Sequence, residues 1–272
     1  MKSFLHLLLL CSAWSGFAQN SVTIPAGARG AGMANASIAF TDIYSAFSNP
    51  AGLAYLDQST ATAFAERRFF LSELQTIAAA VALPTRSGTF ALTVQHFGFE
   101  AFNEHQLGIA YARKLMDGFS LGAQVLLLNT SIPEYGNQLN VTFALGILSQ
   151  LLPKLQLGVH VYSPMQLELV EGENLPTVFR IGLGYVPTDK LTCTAEVEKD
   201  IAYPARTKFG IEYKAAEQLA IRTGIATNPT TFAFGAGYRL PNGLSLDIAS
   251  SYHQTLGFSP TVGFSYAFKK LK

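Results

Sequence analysis

From about residue 59 to residue 268 the sequence changes character with almost every residue, and this alternation limits the fold more than any other feature. In "GTFALTV" (88–94), Phe90, Leu92 and Val94 share one face, and Thr89, Ala91 and Thr93 the other. "LNVTFALGIL" (139–148) sets Leu139, Val141, Phe143, Leu145 and Ile147 against Asn140, Thr142, Ala144 and Gly146. A period of two held over segments this long is the signature of strands. Fourteen such segments lie near 59–67, 74–83, 88–97, 104–114, 118–129, 138–150, 154–163, 178–186, 190–199, 206–214, 218–226, 231–239, 243–253 and 259–268. The count is even, as a bacterial transmembrane barrel requires.

A soluble β protein and a membrane barrel share this period, so the choice rests on other features. Every second connection is a tight turn, as in "PTRSG" (84–88), "MDG" (116–118) and "LPNG" (240–243). The alternate ones run longer, as in "FGFEAFNE" (97–104), "TSIPEYGNQ" (130–138) and "SPMQLELVEGENLPT" (163–177). Short turns at one end and longer loops at the other characterise outer-membrane barrels. Charged residues make up only 14% of the chain against 49% hydrophobic, where ordinary globular chains carry about 25% charged. A net charge of +1 gives no reason to expect nucleic acid as a partner.

The start reads as an export leader: Lys2, the apolar run "FLHLLLL" (4–10), then Gly16 and Ala18 at the −3 and −1 positions of a cleavage site after Ala18. Leu10 before Cys11 argues against lipid attachment, and the mature chain retains the single Cys193. No later apolar run is long enough for a membrane helix. The expected organisation is a leader at 1–18, an N-terminal lumenal segment at 19–58, a barrel at 59–268 and a periplasmic tail at 269–272, placed in a Gram-negative outer membrane.

In a membrane barrel the apolar face meets lipid and the small or polar face lines the lumen. Tyr111, Phe119, Tyr185, Tyr213, Tyr238 and Tyr252 then fall outward near segment ends, as an interfacial girdle does. The inward phase carries Arg180, Glu196, Glu198, Lys208, Glu212, Lys214, Arg222, Arg239 and Asp247, and a lumenal charge network is expected of them. It also carries Gly108, Gly122, Gly146, Gly158, Gly182, Gly184, Gly210, Gly224, Gly235, Gly237 and Gly263. Two readings stand for these glycines: curvature of the closing sheet, or room for another backbone in the lumen. Residues 20–58 are the candidate occupant. Within them, "SNPAGLAYL" (48–56) has helix-start chemistry, with Asn49 as cap and Pro50 in the first turn.

This segment carries a resemblance. Arg29, Gly32 and Met33 in "ARGAGM", and Asn49, Pro50, Ala51, Gly52, Leu53 and Ala54 in "NPAGLA", resemble the leading segment of the barrels that include the fatty-acid transporter FadL and the PorV/PorQ proteins of type IX secretion. Ala34-Asn35 replace a usual Gly-Gly, and Asp42 stands alone where an acidic pair is common. The resemblance implies a fourteen-stranded antiparallel transmembrane barrel with a partly helical N-terminal segment in or across its lumen. For that segment two roles stand side by side: closing the periplasmic end, or gating.

No catalytic group, metal cluster or cofactor motif emerges. His96 and Ser250 share a phase near one rim but belong to distant strands and lack an orienting partner, as a nucleophile and base would need. Two functions are expected. The first is a PorV/PorQ-type accessory of protein export, whose partner is a translocon or secreted protein. The alternative is a FadL-like passive transporter of hydrophobic small molecules. Outer-membrane lipid is a partner in both.

Overall fold

The computed structural model describes residues 26–133, 136–165, 168–170 and 173–269. The leader and the last three residues lie outside them. Two short helices, α1 (Gly27–Ala31) and α2 (Ser45–Ser48), and a 3-10 helix at Pro50–Tyr55 precede the first strand. The strands follow as β1 (Thr60–Arg67), β2 (Gln75–Pro84), β3 (Thr89–Phe99), β4 (Phe102–Met116), β5 (Phe119–Ile132), β6 (Gly136–Leu152), β7 (Leu155–Tyr162), β8 (Glu168–Val170), β9 (Glu173–Asn174), β10 (Val178–Thr188), β11 (Leu191–Asp200), β12 (Arg206–Lys214), β13 (Leu219–Ala226), β14 (Thr231–Arg239), β15 (Leu244–His253) and β16 (Gly257–Ala267). Fourteen of them pair antiparallel, neighbour to neighbour, and β1 closes on β16 from Thr60↔Ala267 to Glu66↔Thr261. Closure leaves no unpaired edge, the condition for strands to stand in hydrocarbon. Among the described residues no helix is long and apolar enough to cross a membrane.

The two faces of the wall separate cleanly. Ile109, Val125, Ile248 and Val262 point outward and are 54–62% exposed, while their inward neighbours Ala110, Gln124 and Thr261 are buried. A soluble barrel would bury the first set. A transmembrane barrel needs them outside.

One end carries compact turns fixed by local chemistry. Thr85 closes its turn through Oγ1 to the Gly88 carbonyl at 2.6 Å. Gly118 and Gly243 take φ of +74° and +91°, a region that suits glycine. The other end departs from expectation. Residues expected as loops at 97–104 and 130–138 mostly extend the ladder: β3 and β4 pair out to Phe99↔Phe102, and β5 and β6 out to Ile132↔Gly136. Their polar side chains broke the apolar alternation, but the backbone pairing does not need it. β4, β5 and β6 reach 15, 14 and 17 residues, beyond the roughly 9–11 a membrane requires, so this side of the wall stands clear of the bilayer. The 163–177 connection contains the unanticipated hairpin β8–β9.

The core forms between wall and lumenal segment. Met33, Phe40, Ile43, Tyr44, Phe47 and Leu53 pack on Phe64 and on an inward alanine surface from β2, β3 and β4 (Ala78, Ala80, Ala82, Ala91, Ala110 and Ala112).

Candidate functional site

The chain from residue 26 to 53 lies inside the barrel near the compact turns, and nearly all of it is buried. The 3-10 helix starts as its sequence implies. Asn49 is the N-cap, its Oδ1 accepts from Ala51 N at 3.2 Å, and Pro50 opens the helix. The same Asn49 donates from Nδ2 to the Ile38 carbonyl at 2.9 Å and to the Ile147 carbonyl of β6 at 3.1 Å. Ser120 Oγ of β5 donates to the Ala51 carbonyl at 3.0 Å. One asparagine therefore caps a helix, ties the segment to itself and ties it to the wall.

The lumenal glycines make this approach possible. A Cβ at Gly122 would overlap the Pro50–Ala51 backbone, and one at Gly146 would overlap Asn49 Oδ1. At Gly224 it would run into the Met33–Ala34 backbone. Room for the segment, its backbone at Gly122 and Gly224 and the Asn49 side chain at Gly146, accounts for these positions. Of the motif residues, Met33 and Leu53 are fully buried. Gly32 passes beside Arg222 and Gly235, and Gly52 packs beneath the Phe40 carbonyl and Ser45.

Two clusters of buried charge hold the segment from the side of β10 to β15. In the first, Arg180 Nε lies 2.7 Å from Glu196 Oε1, and Lys208 Nζ lies 3.1 Å from Glu196 and 2.6 Å from Glu198. Cross-strand register places Glu196 directly opposite Lys208. The cluster grips the segment through backbone: Ser37 N and Ile38 N each donate to Glu196 Oε2 at 3.0 Å, and Arg180 Nη1 donates to the Ser48 carbonyl at 3.1 Å.

The second cluster takes a segment side chain into itself. Arg29 reaches Glu212 at 2.7 Å and Asp42 at 2.5 Å, and its guanidinium lies 4.3 Å over the Phe40 ring. Arg222 bridges Glu212 and Asp247, each at 2.6 Å, and Tyr44 Oη donates to Asp247 at 3.3 Å. Burial alone would lower the Arg29 pKa. The Glu212 and Asp42 carboxylates outweigh it and hold the guanidinium above its ordinary value. Burial, then the Asp247 charge, pushes the Tyr44 hydroxyl above its ordinary pKa.

The sequence marks Asp42 only as a single acid where an acidic pair is common, thirteen positions after Arg29 with no local period linking the two, and it gives no signal for Tyr44. Arg239 stays outside both clusters, and so does Lys214: each is exposed at the compact-turn end, where its strand leaves the lumen, and neither forms an ion pair among the described residues. His96 faces His105 across the β3–β4 ladder with ring centroids 4.6 Å apart, and three strands separate it from Ser250 in sheet order.

Beyond the clusters, on the loop side of the lumen, the wall is divided. β5 and β6 contain no Asp, Glu, Lys or Arg. Leu126, Leu128, Ala144, Tyr162 and Val178 form an inward apolar surface there, joined by Leu175 from the long connection. The base of that connection is pinned inside the mouth, with Thr177 Oγ1 donating to the Ser163 carbonyl at 2.6 Å.

No protein-family model and no curated protein matches this sequence. Solved structures do. A Pseudomonas aeruginosa FadL homologue superposes with a TM-score of 0.69 at 14% identity, covering 89% of this chain and 98% of its own. The Pseudomonas putida toluene transporter TodX gives 0.71 at 13% identity, with coverages of 89% and 98%. The Ralstonia pickettii toluene transporter TbuX gives 0.67 at 12%, again with 89% and 98%. The chain therefore has the fold of these structures: a closed fourteen-stranded antiparallel transmembrane barrel with short helices at its N-terminus.

Proposed function

We propose that this chain is an outer-membrane barrel that passes small hydrophobic molecules, with the segment around "NPAGLA" acting as the gate of its lumen. The observation that carries the reading is the divided lumen. An apolar surface on β5 and β6, strands without Asp, Glu, Lys or Arg, lies on the loop side of the buried 26–53 segment. A water-filled porin has a polar, open interior. A pathway for an apolar solute needs greasy walls and a barrier to water and ions. The similar structures, described as toluene transporters, lend support by shared fold.

The export-accessory reading retains one specific support. The hydrogen-bonded ladder between β2, β3 and β4 is unbroken along each pair, so in this conformation the wall there has no side exit. A protein that docks partners needs no exit.

The test is affinity purification of the tagged chain, gently solubilised from its native membrane, with bound small molecules and proteins both identified by mass spectrometry. An enriched apolar small molecule without a stoichiometric protein supports transport, and its loss in Leu126→Asp places it at the apolar surface. A stoichiometric translocon subunit or secreted protein without enriched ligand overturns transport in favour of the export accessory.

A further inference from the structure

The strand ends that face the compact turns share a pattern that neither plug nor lumen uses. β4 carries Tyr111 and then Arg113 in its turn-side part, β12 ends with Tyr213-Lys214 and β14 with Tyr238-Arg239, and β16 is followed by Phe268-Lys269. In each case an outward aromatic precedes an exposed cation at the turn. Tyr111 Oη donates to the Ser87 carbonyl in the 85–88 turn at 2.6 Å, and Tyr238 Oη meets Gln218 Oε1 in the 215–218 turn at 2.8 Å. The rings therefore lie against lipid while their hydroxyls reach the polar turn, which marks this ring as the edge of the hydrocarbon. The cations beside them stand at headgroup depth. Arg86, Lys154 and Lys190 in three of the turns add to the ring and, with the strand-end cations, outnumber its acids Asp117, Asp189 and Glu217. The loop end has no such ring: β3 runs Phe99-Glu100, β15 ends Tyr252-His253, and in Arg67-Arg68-Phe69-Phe70 the cations precede the aromatics and Arg68 lies over the Phe97 ring.

We propose that this compact-turn rim is a binding surface for anionic phospholipid headgroups of the adjoining leaflet. Charge complementarity selects phosphate-bearing acidic lipid over zwitterionic lipid, and the aromatic ring fixes the height at which the cations meet it. The surface tethers the plugged end of the barrel to one leaflet, whatever passes through the lumen.

The experiment is lipid retention by native mass spectrometry. The full chain, purified in detergent, is mixed with equal amounts of phosphatidylglycerol and phosphatidylcholine. The expected result is preferential retention of phosphatidylglycerol that fades between low and high salt. Each cation removed should lower the preference about fivefold, so R113Q/K214Q/R239Q/K269Q should abolish it. R67Q/K199Q at the loop end should leave it intact. Heat-shifted gel mobility confirms that each variant is folded. Equal retention of both lipids by the parent chain overturns the proposal without need of any variant. So does a preference that survives the quadruple substitution, or capture of an acidic protein by the same cations in place of lipid.

Discussion

Wall residues that face the segment yield space, offer apolar surface, hydrogen-bond it or supply charge. Arg180 is the most committed of those that supply charge. It is 2% exposed and neutralises Glu196 while holding a segment carbonyl. Removing one partner of a buried pair costs about 3–5 kcal/mol, because a charge is left uncompensated. Arg180→Ala should therefore weaken plug docking by that order, seen as faster proteolysis within 26–58. Arg29→Ala should cost less, because the Arg29 side chain is 19% exposed and that of Arg180 only 1%. Equal effects of the two would contradict this ranking by burial. Gly146→Val tests the space-yielding positions. Its side chain has to displace Asn49, and overpacking costs about 1–3 kcal/mol. The plug should loosen while the ladder of β6 persists, which protease mapping against amide exchange separates.

The elements differ sharply in how much of them the sequence shows. Most barrel strands are legible because outward Ile, Leu, Val and Phe alternate with small inward residues; β1 is the exception, with Ala61, Ala63 and Ala65 outward and Phe64 inward. The errors fall where pairing continues without that contrast, as at Asn103 and Asn137, which extend β4 and β6 as ladder rather than loop. β8 and β9, at three and two residues, are too short to show a period. The helix at Pro50–Tyr55 shows its cap and its proline, but it winds as a 3-10 helix. Arg29 is conspicuous in sequence through its motif. Its partners Asp42 and Glu212 become evident only once the fold places residues 183 positions apart at hydrogen-bond distance. Arg239 shows the opposite failure: phase alone puts it in the lumen, but height along the strand takes it out.

On the scale of the whole molecule the account describes two structures with separate supports. The wall is a closed ladder whose outward side chains need lipid. Ile248→Arg, placed mid-strand on the outer face, should destabilise the barrel in bilayers by about 2–4 kcal/mol, measured by denaturant unfolding from vesicles. No change there would argue against a lipid-facing surface. The segment is held within the wall by buried charge, one asparagine and tight packing. The most direct test compares single-channel conductance in planar bilayers of the intact chain and of a chain lacking residues 26–56. The account predicts a closed or nearly closed intact barrel and a steadily conducting truncated one. An intact chain that conducts as well as the truncated one would show that the segment does not seal the lumen.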